Sequence, residues 1–268
     1  MIPGVFDYVR PASVEDAVAA LAEAGDDAKV LGGGQSLMPV LRLRLNVPSV
    51  LVDVSEIDEL RTVVDEGSSL LIGAGVTTYE CMHHDAIRAH APLLAQAAGE
   101  VADPAGDLPT VARVLDAEFV IAGPGGRRTV PASDFFVDYF TTAIGVDDVL
   151  VAVRVPKLGA GWGFDYQKFH RTAQAWAIVG VAAAVKVEGG SITAAKVALT
   201  NMGPTPVRAS SVEAALTGGP ATAEAIAAAS ASAADGTSPT SDTHADAEFR
   251  QHLARVLTSR AVQKAAGL

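Results

Sequence analysis

The stretch Lys29-Val-Leu-Gly-Gly-Gly-Gln-Ser-Leu-Met-Pro-Val-Leu-Arg-Leu-Arg-Leu45 decides how the chain opens. An apolar strand runs into Gly32, Gly33 and Gly34, then into Gln35 and Ser36, and residues 37–45 continue as an apolar helix. Three consecutive glycines remove every Cβ where the chain turns, so the backbone can take positive φ and approach a ligand closely. Successive N–H groups in such a bend make an anion-binding concavity, and a following helix N-terminus adds partial positive charge. The triplet alone fits either a tight turn or a loop for phosphate or pyrophosphate. It is not a P-loop, because no Lys-Ser/Thr follows, and Gly-x-Gly-x-x-Gly fails from Gly32 because position 37 is Leu.

Working outward, Ser13-Val-Glu-Asp16 resembles a capping box. Ala17, Val18, Leu21 and Ala22 then recur at helical spacing up to Gly25. Residues 29–31 and 50–54 read as short buried strands around the glycine turn. The opening is therefore a β-α-β unit with the glycine loop at a strand's carboxyl end, where open α/β sheets bind ligands. Strands are expected at 60–64, 70–73 and 149–155, and helices at 78–84, 92–99 and 108–115. A hairpin is expected around Gly123-Pro-Gly-Gly126. The glycines of Lys157-Leu-Gly-Ala-Gly-Trp-Gly163 break both periods and mark the best boundary. Beyond it, residues 164–170, 178–187 and 192–200 read as antiparallel strands with Glu188-Gly-Gly190 as a hairpin turn. Helices follow at 210–216 and 221–234, and a closing helix carries Phe249, Leu253, Val256 and Leu257 on one face.

Composition narrows the function. The chain has 268 residues, enough for a sizeable core and for more than one compact unit. A net charge of −11 argues against nucleic-acid binding, which needs a basic face. Cys81 is the sole cysteine, so the chain has no intrachain disulfide and no cysteine-ligated iron–sulfur or zinc site of its own. No apolar run approaches membrane-spanning length, and the N-terminus lacks a signal-peptide pattern, so a cytoplasmic setting is expected. His83 and His84 point in different directions on a helix and have no further ligand at useful spacing. Ser36 lacks a His and Asp partner pair, so nucleophilic catalysis is not expected.

The glycine loop, followed by Val50-Leu-Val-Asp-Val54, resembles the first FAD pyrophosphate loop of the flavoprotein (medium) subunits of molybdenum hydroxylases, a family that includes carbon monoxide, nicotine and xanthine dehydrogenase-type enzymes. Ala102-Asp-Pro-Ala-Gly-Asp-Leu-Pro109, Thr129-Val-Pro-Ala-Ser-Asp-Phe-Phe136 and Asp147-Asp-Val-Leu-Val-Ala-Val-Arg-Val-Pro156 are similar to family segments. So are Phe164-Asp-Tyr-Gln-Lys-Phe-His-Arg171, Ala173-Gln-Ala-Trp-Ala-Ile-Val-Gly180 and Ala198-Leu-Thr-Asn-Met-Gly-Pro-Thr-Pro-Val-Arg208. The likeness covers essentially the whole chain in order.

The resemblance implies an α+β fold. A two-part FAD-binding module over 1–157 comprises a small α/β subdomain (about 1–55) and a mixed α+β subdomain (56–157). An α+β C-terminal domain with an antiparallel sheet follows over 163–268. It implies FAD as cofactor, with Leu31, Gly32, Gly33, Gly34, Gln35, Ser36 and Leu37 wrapping the pyrophosphate through backbone N–H groups. Asp107 falls where relatives place a carboxylate on ribityl or ribose hydroxyls, Leu150 near the isoalloxazine ring and Lys168 near its pyrimidine edge. By residue type alone, Leu150 fits plain core and Lys168 on a strand fits solvent. Trp176 reads as a domain-packing residue, in a turn that relatives place near the flavin ring. The implied function is electron transfer from iron–sulfur clusters on a partner through FAD to an external acceptor, with a molybdopterin-binding large subunit and an iron–sulfur small subunit as partners. One departure matters. Relatives carry a second glycine loop, Thr-x-Gly-Gly-Ser/Asn, which is missing here because a single Ala102-Asp-Pro104 serves both of its flanks. The departure leaves an alternative: a flavin-free scaffold subunit that kept the fold.

Overall fold

The computed structural model describes residues 2–101, 107–172 and 175–268. The Ala102-Asp-Pro104 junction and Ala173-Gln174 lie outside the described residues.

The opening unit consists of β1 (Asp7–Val9), α1 (Val14–Ala24), β2 (Ala28–Leu31), α2 (Leu37–Arg42) and β3 (Val50–Asp53). Ser13 caps α1 by accepting from the Asp16 N–H at 3.1 Å, and Val14, Ala17, Val18 and Leu21 are buried along one stripe. Gly25, at φ +64°, ends the helix. The strands form a sheet in the order β1-β3-β2 with both pairings parallel, Leu31 lying opposite Asp53. All three carboxyl ends therefore share one edge, and the glycine loop leaves from it. The helix after the loop stops at Arg42, three residues short of the expected 37–45.

The second unit holds β4 (Val63–Asp65), β5 (Ser69–Gly73), α3 (Thr78–His83), α4 (Asp85–His90), α5 (Pro92–Glu100) and α6 (Asp107–Val114). It continues with β6 (Glu118–Gly123), β7 (Gly126–Pro131), α7 (Ala132–Phe135), β8 (Phe136–Asp138), β9 (Thr141–Thr142) and β10 (Val149–Pro156). Its five-stranded antiparallel sheet runs β4-β5-β10-β6-β7. The strand expected at 60–64 is instead a 3₁₀ turn over Asp58–Arg61 followed by β4. That turn buries Leu60, whose carbonyl accepts from the Gly75 N–H at 2.7 Å.

The last unit contains β11 (Trp162–Phe169), β12 (Val179–Glu188), β13 (Ser191–Thr200), β14 (Val207–Arg208), α8 (Ser210–Leu216), α9 (Ala223–Ser230) and α10 (Ala247–Ala265). Its antiparallel sheet runs in chain order. The β12–β13 turn is Gly189-Gly190, both at positive φ, as a two-residue hairpin of the right twist requires. Strand β12 is buried on both faces and its sequence says how. Val179, Val181, Ala183 and Val185 pack into one cluster with α8, α9 and α10. Ala182 and Ala184, with Ala198 of β13, pack into the cluster that holds α5, α6 and β5. The small-residue face lets helices of the second unit lie close to the sheet, so the core runs without a break from the second unit into the last.

Helix α9 is shorter than the expected 221–234 and starts at its Thr222 cap. On α10, Leu253 and Leu257 are buried as expected, but Phe249 is 41% exposed while Arg250 is 1% exposed. The inward face is rotated because Arg250 has partners far away in sequence: its guanidinium donates to the Ile178 carbonyl and, at 2.6 Å, to Asp242.

Candidate functional site

At the carboxyl edge of the first sheet, Gly32 and Gly33 are exposed, and a Cβ added to either would meet nothing within 4 Å. Gly34 turns the chain at φ +76°, and its carbonyl accepts from the Met38 N–H at 2.9 Å to start α2. Among the described residues, no backbone carbonyl accepts from the N–H groups of Gly32, Gly33, Gly34, Gln35 or Ser36. A run of unspent donors over open space is a cradle for a diphosphate. Helix α2 has only six residues, so the bend itself, more than a helix end, supplies the donors. The edge is braced from beneath, where Tyr8 Oη donates to Asp53 and Asp53 also accepts from the Ser55 N–H at 2.9 Å. Burial pushes the Asp53 carboxyl up, but the bonds from Tyr8 and Ser55 outweigh it and hold the group below its ordinary range. Arg10, just past β1, is ion-paired with Glu56.

Asp107 and Lys168 come from distant parts of the chain and meet. Asp107 lies in the first turn of α6 and Lys168 near the end of β11; they form an ion pair at 2.7 Å with side chains 1% and 2% exposed. The Lys168 ammonium also donates to the Glu100 carbonyl at 2.9 Å. The solvent-facing position that residue type suggests for Lys168 is therefore corrected: its partners draw it inward. Tyr166, two residues earlier and so on the same face of β11, donates its hydroxyl to Asp107 Oδ1. Burial, reinforced by the Asp107 charge, pushes the Tyr166 phenol well above its ordinary value. One turn along α6, Thr110 shares a 2.6 Å hydrogen bond with Thr200 of β13. Sequence reasoning passed over Tyr166, although the period of two in Phe164-Asp-Tyr-Gln-Lys168 sets it beside Lys168.

Leu150 sits half-buried on β10 opposite Ile121, at a bulge where Val151 is the extra residue against β6. The loop before it is fixed by Asp148, which accepts from the Gly145 N–H at 2.6 Å and from both Arg128 Nη atoms at 3.1 and 2.6 Å. Beyond Thr110 and Thr200 opens a cavity of about 370 Å³, walled by Pro109, Phe136, Tyr139, Phe140, Trp176 and Asn201 among others. Trp176 is 57% exposed with its ring centroid 6.4 Å from that of Phe140, and Phe140 holds φ +53° while 87% exposed. A bulky residue in that conformation is uncommon and strained. The aromatic walls and few hydroxyl and amide groups suit a flat ring system. Cys81 is buried, and burial pushes its thiol up to about 11. Among the described residues no cluster of His, Cys, Asp and Glu could hold a metal ion.

Residues 164–265 match the carbon monoxide dehydrogenase flavoprotein C-terminal domain, and residues 4–105 and 100–158 match the FAD-binding domain of molybdopterin dehydrogenases. The chain belongs to the flavoprotein subunits of the molybdenum hydroxylases. It is 36% identical to the carbon monoxide dehydrogenase medium chain of Hydrogenophaga pseudoflava, over 99% of this chain and 98% of the relative. It is 34% identical to the medium chain of Afipia carboxidovorans over the same shares. The solved structure of Hydrogenophaga pseudoflava carbon monoxide dehydrogenase lacking the Mo-pyranopterin moiety superposes with TM-score 0.94 at 39% identity, covering 100% of this chain and 99% of that one. The α+β architecture, FAD as the family cofactor and an oxidoreductase component are thereby established for this flavoprotein subunit. The two stretches matching the FAD-binding domain share residues 100–105, so one segment serves two places in the family pattern. The match to the Hydrogenophaga pseudoflava chain runs over 282 positions although this chain has 268 residues, so at least 14 positions have no counterpart here. The overlap at residues 100–105 lies at the point where the second glycine loop is expected from the sequence.

Proposed function

We propose that this flavoprotein subunit holds one FAD, with the diphosphate on the main-chain donors of Leu31, Gly32, Gly33, Gly34, Gln35, Ser36 and Leu37. Asp107 takes hydroxyls of the sugar chain, Leu150 packs near the isoalloxazine ring, and Lys168 lies at its pyrimidine edge. Bound FAD supplies the redox step, accepting electrons and passing them on. The chain's own residues bind, orient and tune. A carboxylate that only accepts hydrogen bonds suits hydroxyl donors, and an ammonium close to the ring favours the anionic reduced form. Electrons arrive from iron–sulfur clusters on a small subunit, themselves fed by a molybdopterin-binding large subunit, and leave to an external acceptor such as NAD, quinone or oxygen. The lone cysteine fits that division of labour, since the clusters must reside on another polypeptide. No helix among the described residues is long and apolar enough to cross a membrane, and we place the complex in the cytoplasm. We also place the boundary between the FAD-binding and C-terminal domains within residues 157–163.

The observation carrying this reading is the glycine bend, where the N–H groups of residues 32–36 have no backbone acceptor among the described residues and a Cβ at Gly32 or Gly33 would meet nothing. Gly33→Val tests it. A Cβ at Gly33 meets nothing and Gly33 is not in the left-handed region, so the apoprotein should fold and melt as the wild type does. A branched side chain would nonetheless occupy the diphosphate's place, and bound FAD, read by flavin absorbance and fluorescence titration, should be lost. Unchanged flavin content in this variant overturns the loop assignment.

The split match favours a second reading, a flavin-free scaffold. Losing two or three donors, each worth roughly 1.5–3 kcal/mol to a charged group, weakens binding by orders of magnitude at about 1.4 kcal/mol per decade. A purified chain that stays colourless in excess FAD supports the scaffold; a yellow one supports the electron-transfer subunit.

A further inference from the structure

The buried ion pair between α6 and β11 is built with a second donor that it does not need for its own neutrality. Asp107 Oδ2 takes the Lys168 ammonium and Oδ1 takes the Tyr166 hydroxyl, so its two oxygens answer to different side chains. Lys168 has three N–H groups, of which Asp107 and the Glu100 carbonyl engage two among the described residues. The third has no acceptor among the described residues.

The space behind Tyr166 is equally specific. Gly180 lies opposite Lys168 on one side and Thr200 on the other in the β11-β12-β13 register. A Cβ at Gly180 would stand 2.6 Å from Tyr166 Oη and 3.1 Å from Thr200 Cβ and Oγ1. Gly180 is not in the left-handed region, so it is glycine for room and not for conformation. That room is taken up by the Tyr166 hydroxyl. Thr200, in turn, is tied to Thr110 one turn along from Asp107. The hydroxyl, the glycine and the threonine pair thus form one wall that fixes where the Asp107 carboxylate points.

A carboxylate buried this deeply needs compensation, and a bare one is costly. If Lys168 shares its charge with a ligand, Asp107 leans on its other partner. We propose that Tyr166, seated against Gly180 and Thr200, is a positioning residue of the flavin site: it secures Asp107 so that Lys168 can lend its charge to bound FAD without leaving an uncompensated buried anion. This rests on the assignment of Asp107 and Lys168 to the flavin.

The test uses the full chain, stripped of flavin and titrated with FAD by fluorescence, with the midpoint potential of the bound flavin measured alongside. Tyr166→Phe keeps the ring and removes the hydroxyl. It should weaken FAD binding severalfold, because the Tyr166–Asp107 bond is also made without flavin and only its strengthening on binding is lost. It should also move the flavin potential to more negative values, because Asp107 then draws Lys168 away from the reduced flavin. Loss of packing alone would not move the potential of the flavin that remains bound. Gly180→Ala should displace the hydroxyl and change affinity and potential in the same direction. Added to Tyr166→Phe, it should cost less than in the wild type, because the atom it would strike at 2.6 Å is gone and only the 3.1 Å contacts with Thr200 remain. Wild-type affinity and potential in Tyr166→Phe overturn the proposal; so does a Gly180→Ala penalty equal in both backgrounds. If Tyr166→Phe does not fold, Gly180→Ala alone decides, and unchanged affinity and potential there also overturn it. A wild-type chain that binds no FAD overturns the flavin assignment itself, a result distinct from either.

Discussion

At the residue scale, Lys168 shows how much a single buried charge can matter. It and Asp107 are almost wholly out of water, so each cancels the desolvation penalty of the other. Lys168→Met keeps the volume and removes the charge. Among the described residues Asp107 then keeps only the Tyr166 hydroxyl, and stability should fall by about 3–5 kcal/mol, as measured for broken buried pairs. Equilibrium urea unfolding of the apoprotein reads this directly. The double variant Asp107→Leu/Lys168→Met should be more stable than the single one, because no orphan charge remains. A single variant within about 1 kcal/mol of the wild type would mean that the pair contributes no more than an exposed one. The meeting of these two residues could not be read from the chain. Asp107 was legible as a carboxylate near a helix start and Lys168 as a strand cation, but their contact spans 61 positions and depends on how α6 lies on β11. Arg250 was hidden for the same reason, since its carbonyl and carboxylate partners belong to other segments.

At the element scale, the strands and hairpins that alternate or run apolar were readable, including the glycine-turn hairpins after β6 and β12. The elements that escaped carry no such signal. Strand β1 is three residues, all exposed, and it exists because β3 offers a parallel edge. The short β8 and β9 strands are largely exposed and lean on the cavity's aromatic wall. The loop before β10 supports a prediction with a definite sign. Arg128 beside Asp148 holds its carboxyl below the ordinary carboxylate range, with the Gly145 N–H helping and burial opposing. A depressed folded value means that the stabilisation is full above the unfolded carboxyl value, about 3.9. It is lost as pH falls through the lower folded value. Asp148→Asn should therefore be less stable than the wild type at pH 7, by about 1 kcal/mol given that Arg128 is partly exposed. The gap should close in urea titrations carried below pH 4. A gap that stays constant from pH 7 to pH 3 would rule out the ion pair as its source.

At the scale of the whole molecule, the sheet of the last unit belongs to two cores at once. Tyr166, Ala182, Ala184 and Ala198 lie in the same buried cluster as Leu93, Ala97, Val111 and Leu115 of the second unit. A polar contact follows the same seam: Gln96 of α5 donates to Asp165 at 3.0 Å, a carboxylate that Lys264 of α10 also reaches, at 2.8 Å, from within the last unit. The shared core predicts that the two domains fold together rather than as independent blocks joined at residues 157–163. A fragment of residues 1–157 would leave the apolar faces of α5 and α6 in water. It would also strand Asp107, buried in the full chain, without Lys168 or Tyr166. Exposed apolar area at about 25 cal/mol per Å², set against a net stability of only about 5–15 kcal/mol for a whole domain, leaves the fragment little margin. It should lack a cooperative thermal transition, bind a hydrophobic dye and self-associate, whereas the full chain should unfold in a single cooperative step. Adding residues 158–268 in trans should restore cooperativity, because the missing surface is a preformed sheet face and not a linker. A fragment that melts cooperatively by itself would show that the seam adds little, and the buried contacts along it would then serve to place Lys168 at the flavin rather than to hold the fold.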